Sequence, residues 1–478
     1  MGSKVSSKFI TTDRSQLLLF PPSVEEWLPE HHLARFVVDI VEKLDLSGIT
    51  DQYSESGSKA YHPKILLALL FYGYATGTFS SRKIEKATYD SIAFRYIAIN
   101  THPDHDTVAN FRKRFLEQLK PLFIQILLVA QQMGLLKIGK VSLDGTKVKA
   151  NASKHHALSW EHACKLEAQL KEEVEELLKS AEAADSCENS EMDIPAEIKR
   201  RTDRLKVIED ALDTIKERSN QRYAKEKAEY DKKMEKRAAK EKETGKKTGR
   251  PKPKPPNSKP EKKDQVNLTD DESRIMPKKG KGFEQCYNAQ SAVDVDSMLV
   301  IAAFVSQAPN DKQELLPTIE RLEALPDELN TIDALLADAG YFSETNVDEC
   351  EMRGIEPFIP PNREKHNKSL EERFTEPLPL PEDADYIEKM RHKLRTLSGQ
   401  EIYGKRKTTV EPVFGIIKHV MGFRQFLLRG HKAVTGEWDL VSIAWNLKRM
   451  FILSAEAILK TKCVITGECW TSTVVCYE

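Results

Sequence analysis

In two stretches of the chain, the apolar residues change from helical spacing to alternation with polar residues. The order of these stretches limits the folds that the chain can adopt. In residues 138–150, apolar and polar residues alternate up to Asp144, which is the period of a half-buried strand. From Tyr287 the alternation returns, and a break at Asp296 predicts a hairpin. A helix, a short apolar strand, another helix and a last strand follow as far as residue 360. This order predicts a mixed α/β domain.

The residues before the first strand have apolar positions at helical spacing. Asp104 or Asp106 is suited to cap the last of these helices, because an Asp side chain can accept a hydrogen bond from the first helical turn. Residues 1–138 are therefore predicted to form a helical N-terminal domain. The predicted helices cover residues 29–49, 62–77, 82–89 and 108–119.

The segment 155–282 interrupts the α/β domain, which would comprise residues 139–154 and 283–461. Within the segment, apolar residues recur every three or four positions in two series, beginning at Leu166 and Leu205, so two charged helices are predicted to pair. A basic, proline-rich stretch, GKKTGRPKPKPPNSKPEKK, follows and should be disordered or extended. Residues 462–478 stay unassigned.

Charge is distributed unevenly along the chain, although 73 basic and 74 acidic residues nearly cancel. Residues 240–263 contain ten Lys or Arg and three Glu, and residues 403–432 contain seven Lys or Arg and one Glu. Such basic stretches suit a polyanionic partner, and a solvated charged surface is the common alternative.

The cysteines and the hydropathy indicate a cytoplasmic protein. The seven cysteines form no C-x-x-C pair, which is typical of a reducing compartment. No apolar run approaches the roughly 18 residues of a membrane span, and the N-terminus lacks the apolar core of a signal peptide. No membrane partner is expected.

Three acidic residues stand at positions where a functional carboxylate is plausible. Asp144 lies inside a predicted strand, where Asp is disfavoured. Asp338 follows a buried strand, at the edge where open α/β sheets place ligands. Each has an ordinary alternative: Asp144 could belong to a turn, Asp338 to a loop, and Glu411 to a capping box that begins at Thr408.

The surroundings of Glu411 favour a functional role over a cap. Pro412 predicts that a helix starts here, because proline prefers the first helical position. The helical register then places Glu411 and Lys418 on one face, with Gly415 between them. The opposite face, toward the core, would hold Val413, Ile417 and Val420.

Four stretches carry a family resemblance. They are VSLDGTKVKANAS around Asp144, KGFEQCYNAQSAVD on the second strand, LLADAGYFS around Asp338, and YGKRKTTVEPVFGIIKHVMGFRQFLLRG around Glu411. In these stretches the chain resembles a DDE transposase of a bacterial insertion sequence, in the group that carries a Y-R-E-K signature. The N-terminal HPKILLALLFYGYATGTFSSRKIEKA resembles the helical DNA-binding domain of the same proteins, and the likeness covers roughly residues 8–455.

The resemblance implies an RNase H-like catalytic domain in which Asp144, Asp338 and Glu411 are the catalytic triad. Together they would bind two Mg²⁺ ions, which Mn²⁺ can replace. Tyr403, Arg406 and Lys418 match the tyrosine, arginine and lysine of the signature, although four residues separate Arg406 from Glu411 where the signature has three. The predicted DNA-binding residues are Tyr403, Arg406, Lys418, Arg424, Arg429, Arg82, Lys83 and Arg112.

The resemblance also implies the function. A transposase of this kind binds the terminal inverted repeats of its element as double-stranded DNA, cleaves at the ends and joins them to target DNA, as a homodimer associated with the nucleoid. Two alternatives are a DNA-binding remnant without catalysis and a metal-dependent nuclease without strand transfer. Four other acids compete for the catalytic role, namely Asp294, Asp296, Asp311 and Asp333, and Asp294 is the main rival. The adjacent His155 and His156 are a poor metal pair because neighbouring side chains of an extended chain point apart.

Overall fold

The structure is a computed structural model, and the residues that it describes are 26, 28–53, 60–184, 194–244, 252–278, 280, 282–329, 332–362, 375–381 and 384–466. The chain divides into two compact units, of which the first comprises residues 1–130 and 443–478 and the second residues 131–442. This division gives the end of the last helix to the first unit, whereas residues 443–461 were expected in the α/β domain.

The first unit is helical in the part that the structure describes. Pro63 occupies the first position of the third helix, where its missing N–H removes no hydrogen bond. Asp104 caps the sixth helix by accepting from the Thr107 amide at 2.6 Å, as predicted. The helices are α1 (Leu33–Lys43), α2 (Ser47–Thr50), α3 (Pro63–Ala75), α4 (Ser81–Asp90), α5 (Ile92–Ile97), α6 (His105–Arg114) and α7 (Leu119–Gln132).

Helix α3 is the centre of the first unit. Leu67, Leu69 and Phe71 are fully buried although they point in different directions around the helix axis. A helix that is apolar all round must be enclosed by others, and α3 contacts α1, α4, α5 and α6. The predicted helix over residues 62–77 is therefore confirmed, with a wider buried surface than one stripe.

The second unit is built on a six-stranded mixed sheet with strand order β4–β5–β1–β7–β8, in which β6 also pairs with β5. Strand β1 is antiparallel to β5 and parallel to β7, and β7 is parallel to β8. This mixed sheet with flanking helices is the RNase H-like organisation that was expected. The strands are β1 (Lys140–Lys149), β2 (Ala157–Ser159), β3 (Gln265–Asn267), β4 (Arg274–Lys278), β5 (Gly282–Asp294), β6 (Val300–Ser306), β7 (Ala334–Leu336) and β8 (Glu356–Phe358). Strands β2 and β3 pair with each other in a separate two-stranded sheet.

Several helices of the second unit pack on this sheet. Leu336 and Phe358 of the parallel strands pack with Val347, Met390 and Leu394 from two helices. A third helix, α13, packs against β1 and β5. The helices are α8 (Trp160–Ala184), α9 (Ile194–Thr244), α10 (Leu315–Glu323), α11 (Glu344–Met352), α12 (Tyr386–Arg395), α13 (Leu397–Gly415) and α14 (His431–Thr466), and a π-helical turn follows α13 at Ile416–Val420.

The inserted segment forms the helical hairpin that its apolar spacing predicted. Ile208, Leu212 and Ile215 of α9 are buried against Leu170 of α8 in a cluster that also contains residues of β2 and β3. Residues 252–263 of the proline-rich stretch have neither helix nor strand, as expected for an extended segment. They lie along α9, where the carbonyl of Ser258 accepts from the Ser219 hydroxyl at 3.1 Å.

Strand β4 lies within the segment that was expected to be separate from the sheet. It pairs with the first half of β5, from Arg274 opposite Cys286 to Lys278 opposite Gly282. The sheet therefore begins before residue 283. The short sequence around β4 has no alternation long enough to predict a strand.

The helix that carries Glu411 starts earlier than predicted. Helix α13 begins at Leu397, and Pro412 lies inside it and not at its first position. Val413 and Ile417 are buried as expected, but Val420 is 68% exposed. The π-helical turn adds a residue to the helix period and rotates Val420 out of the core.

The unassigned tail lies largely outside the described residues, since α14 ends at Thr466. Within the described part of the chain, no helix combines the length and the apolar character required to cross a membrane.

Candidate active site

Asp144 lies in the middle of the central strand. Strand β1 continues to Lys149, so the alternative that Asp144 and Gly145 form a hairpin turn is wrong. One side-chain oxygen of Asp144 accepts from the amide of Gly145 at 2.9 Å. The Asp144 side chain is only 17% exposed, so this carboxylate is held in a desolvated position on the sheet.

Asp338 lies at the matching level of the neighbouring strand. Strands β1 and β7 are parallel, with Ser142 opposite Leu336, so Asp144 and Asp338 each follow that pair by two residues. Asp338 begins a short 3₁₀ turn, where its Oδ1 accepts from the amide of Gly340 at 2.7 Å. Because parallel strands run in the same direction, the two carboxylates belong to one edge of the sheet.

Glu411 is connected to this edge by an arginine. The guanidinium of Arg406 donates to Glu411 Oε1 at 3.0 Å and to Asp144 Oδ2 at 3.3 Å. Arg406 is 8% exposed, whereas the Glu411 side chain is 50% exposed. Arg406 therefore bridges a buried and an accessible carboxylate, although one residue more separates it from Glu411 than in the signature.

The pKa of Asp144 reflects its burial and the charged residues around it. Burial raises the pKa of Asp144 to about 7, and the charges of Asp338 and Asp311 raise it as well, while Arg406 opposes the rise. A carboxylate in this state is stabilised by an additional cation.

Lys418 and Tyr403, the other two signature residues, have different surroundings. Lys418, in the π-helical turn, donates to the hydroxyl of Thr146 at 2.5 Å and to the carbonyl of Lys147 at 3.0 Å. Burial and the charge of Lys278 lower the pKa of Lys418 to about 8. Tyr403 packs at the margin of the apolar cluster between the parallel strands and α12. The structure thus brings Lys418 to β1, two residues past Asp144.

Two predicted DNA-binding arginines of the second unit are exposed. Arg424 donates to the carbonyl of Lys418 at 3.0 Å. Arg429 donates to the carbonyl of Asn151 at 3.0 Å and lines a polar cavity with Lys149 and Lys154. His155 and His156 line the same cavity.

The predicted DNA-binding residues of the first unit have different surroundings. Arg82 and Lys83 are exposed on α4. Arg112 is buried, and its guanidinium donates to the hydroxyl of Tyr74 at 2.9 Å and to the carbonyl of Phe79 at 3.1 Å. Arg112 is therefore a packing residue in this structure, and this position does not fit the predicted DNA contact.

The side chain of Asp294, the rival acid, forms its hydrogen bonds away from Asp144. It pairs with Val141 at the start of β1, and its Oδ2 accepts from the amide and the hydroxyl of Ser297 at 2.8 and 2.6 Å. These contacts close the β5–β6 hairpin. Asp294 therefore has a local structural role, at a distance along the sheet from Asp144.

The acids have the chemistry that a divalent cation of the magnesium type requires, since all three are carboxylates and Mg²⁺ prefers oxygen ligands. The raised pKa of the buried Asp144 carboxyl also fits a site where a cation would compensate charge. Within the described part of the chain, however, no three His, Cys, Asp or Glu side chains lie close enough together to ligate one ion directly.

The sequence indicated Asp311 only as a competing acid and did not predict the hydrogen bonds that fix its side chain. Its carboxylate accepts from the side chains of Asn288 and Gln290, both at 2.7 Å. The signal that could have pointed to them is the pair of amide side chains, two residues apart and therefore on one face of the predicted strand.

Comparisons with known proteins give two matches. Residues 247–447 match the family described as "Transposase DDE domain", and residues 22–114 match a family described as "Transposase domain". The first match includes Asp338 and Glu411, whereas Asp144 lies outside both. Neither the curated proteins nor the solved structures gave a match.

Proposed function

We propose that this chain, which belongs to the DDE transposases of insertion sequences, binds the terminal inverted repeats of its element and catalyses metal-dependent cleavage and strand transfer with Asp144, Asp338 and Glu411. The proposal includes membership of the Y-R-E-K group, with Tyr403, Arg406 and Lys418 as the other signature residues. The active complex is a homodimer on double-stranded DNA, with one subunit for each end of the element.

One observation carries the proposal. Asp144 and Asp338 occupy equivalent levels of two adjacent parallel strands, and Arg406, which follows Asp144 by 262 residues, connects Asp144 to Glu411. Three acids that are far apart in the chain therefore converge on one edge of the sheet. Packing alone gives no reason for such convergence, because placing like charges near one another, one of them desolvated, costs free energy.

The acids would hold the divalent cations. When bound, such ions activate the attacking oxygen and stabilise charge on the leaving oxygen of a phosphodiester. Asp144 and Asp338 are the principal candidate ligands because they share the sheet edge. Glu411 completes the set from α13, where its exposed side chain is accessible to DNA.

The reaction forms one phosphorus–oxygen bond and breaks another in each step. In cleavage, a water oxygen bonds to phosphorus and the 3′ oxygen leaves as a 3′-hydroxyl. In strand transfer, that 3′-hydroxyl attacks a target phosphate and displaces a second 3′-hydroxyl. The exposed Arg424 and Arg429 would bind the phosphate backbone during both steps, since such contacts position DNA without reading its sequence.

Recognition of the ends is assigned to the first unit. Arg82 and Lys83 are exposed on α4, where their charges are available to phosphate oxygens. Arg112 is omitted from this surface because it is buried.

The decisive experiment measures cleavage and joining of end-containing DNA in Mg²⁺ by the full chain and by the D144N, D338N and E411Q variants. All three variants should lose cleavage by more than about 100-fold, beyond the effect of removing an outer partner of a metal site. DNA binding should persist. E401Q is the matched control for E411Q, because Glu401 is exposed on the same helix.

The results of this experiment distinguish a transposase from the two alternative functions. Cleavage without joining by the wild-type chain would indicate a nuclease, and end binding without cleavage would indicate a remnant. A D144N, D338N or E411Q variant that cleaves like the wild type would remove that residue from the triad.

A further inference from the structure

A fourth acid, Asp311, is held in a fixed position in the loop between β6 and α10. Its Oδ1 accepts from the side-chain amides of Asn288 and Gln290, both at 2.7 Å. These two residues are 1% and 0% exposed and lie two apart on β5, so they face the same side of the sheet. Two buried donors on one oxygen fix this carboxylate and leave its second oxygen for another partner.

The carboxylate of Asp311 lies directly against the backbone that follows Asp144. Gly145 pairs with Gln290 across the two strands. A Cβ atom added to Gly145 would lie 2.5 Å from Asp311 Oδ1 and 2.3 Å from the Gln290 amide nitrogen, which is closer than non-bonded atoms approach. Asp311 can therefore occupy this position only because residue 145 has no side chain.

Asp311 also adjoins the residues that follow Asp338. A Cβ atom on Gly340 would lie 2.8 Å from Asp338 Oδ1 and 3.9 Å from the Cβ of Asp311. In addition, the hydroxyl of the buried Tyr341 donates to Gln290 Oε1 at 2.5 Å. Asp311, Gln290 and the turn after Asp338 thus form one hydrogen-bonded and close-packed group.

The cationic partners are distributed unequally among these acids. Arg406 pairs with Asp144 and Glu411. Among the residues that the structure describes, neither Asp338 nor Asp311 forms an ion pair. The negative charge that no cationic side chain of these residues neutralises therefore lies on the Asp311 side of the site.

We infer that Asp311 is a fourth acidic residue of the catalytic site and helps Asp144 and Asp338 to hold a divalent cation through a water of its hydration shell. The inference rests on the proposed function. Contact through water follows from two facts: no three acidic or other ligating side chains of the described residues form a direct site, and Mg²⁺ usually keeps several of its waters in proteins.

The test is Mn²⁺ binding to the full chain, measured by electron paramagnetic resonance without DNA. In D311N the amide oxygen can still accept from Asn288 and Gln290, so the anchor is retained and only the charge is removed. The Mn²⁺ affinity should fall by about 10-fold to 100-fold, the range for outer partners of metal sites. D327N makes the same change of charge at an exposed position and should bind Mn²⁺ like the wild type.

A second readout is the Mg²⁺ dependence of cleavage. Higher Mg²⁺ should restore cleavage by D311N but not by D144N. If D311N melts at a lower temperature than the wild type in EDTA, D311E decides the question: a charged ligand should recover Mn²⁺ affinity, and equal loss in D311E and D311N would show a structural role and overturn the inference.

The failures of the two proposals are distinguishable. Wild-type Mn²⁺ affinity in D311N together with weak binding by D144N overturns the role of Asp311 alone. Wild-type affinity in both variants, or no binding by the wild type, overturns the metal centre of the proposed function and the role of Asp311 with it.

Discussion

The charged residues of the inserted hairpin and those of the candidate active site are organised in opposite ways. In the hairpin, Lys171 pairs with Glu167 one helical turn away at 2.6 Å and with Glu209 of the facing helix at 3.3 Å, and these side chains are substantially exposed. In the site, Arg406 joins Asp144 to Glu411, and both Arg406 and Asp144 are largely withdrawn from water.

This difference separates charges that keep a helix soluble from charges that a function maintains. Exposed pairs contribute little to the free energy of unfolding, since water screens them and the side chains lose entropy. Burying the acids of the site costs more than exposure would, so folding alone does not select them. Partners that are distant in sequence and desolvated, such as Asp144 and Arg406, therefore support the proposed functional site.

Replacement of the bridging arginine should give the largest contrast between the two regions. R406Q leaves Asp144 buried without its counter-charge, which should lower the free energy of unfolding by about 3 kcal/mol and abolish cleavage. R201Q removes an arginine that pairs with Glu173 at 2.8 Å in the hairpin, and it should lower the melting temperature far less. Thermal denaturation and a cleavage assay measure both effects.

The matched variant R406K tests whether a positive charge alone is sufficient for stability and for cleavage. Lysine keeps the charge but lacks the planar fork that reaches two carboxylates, so R406K should recover stability more than cleavage. An R406Q variant as stable as R201Q would show that the charged pairs of the two regions contribute equally to the free energy of unfolding.

The pH dependence of stability should sharpen the contrast. The pKa of Asp144 is raised to about 7 by burial, so its contribution to stability is fully present below its ordinary pKa and is lost as pH rises through about 7. In EDTA, the stability of the wild type relative to D144N should therefore decline by a few kcal/mol at most between pH 5 and pH 8. Mg²⁺ should oppose the decline, because it binds the ionised carboxylate. A difference independent of pH would contradict the raised pKa.

Local spacing predicted the hairpin and most of the sheet because it depends on neighbours in sequence. Leu212 and Ile215 lie in the predicted interface, and the capping residue Asp104 was also predicted correctly. The family resemblance, rather than spacing, selected Asp144 among the aspartates. Its place beside Asp338 depends on the pairing of β1 with β7, which no local pattern encodes.

The predictions that failed have non-local or irregular causes. Pro412 was expected to start a helix, but α13 continues through it because the helix is held against β1 and β5. Val420 was misplaced because a π-helical turn interrupts the 3.6-residue period. Asp311 could not be placed because its anchors, Asn288 and Gln290, precede it by 23 and 21 residues.

The smallest expected effect concerns the basic stretch that follows the hairpin. Lys252, Lys254 and Lys259 are exposed on an extended segment packed along α9, so they can reach DNA only as point charges on phosphates. Replacing all three by Gln should weaken DNA binding at low salt and flatten the slope of log affinity against log salt, by about 0.9 for each phosphate that a lysine no longer neutralises. Stability, cleavage and the preference for element ends should stay unchanged, because the segment lies apart from the acids and reads no bases. Fluorescence anisotropy over a salt series, with end DNA and unrelated duplex in parallel, measures both quantities. An unchanged slope would mean that these lysines only solvate the segment, like the exposed pairs of the hairpin, and a lost preference for the ends would make the segment a recognition element.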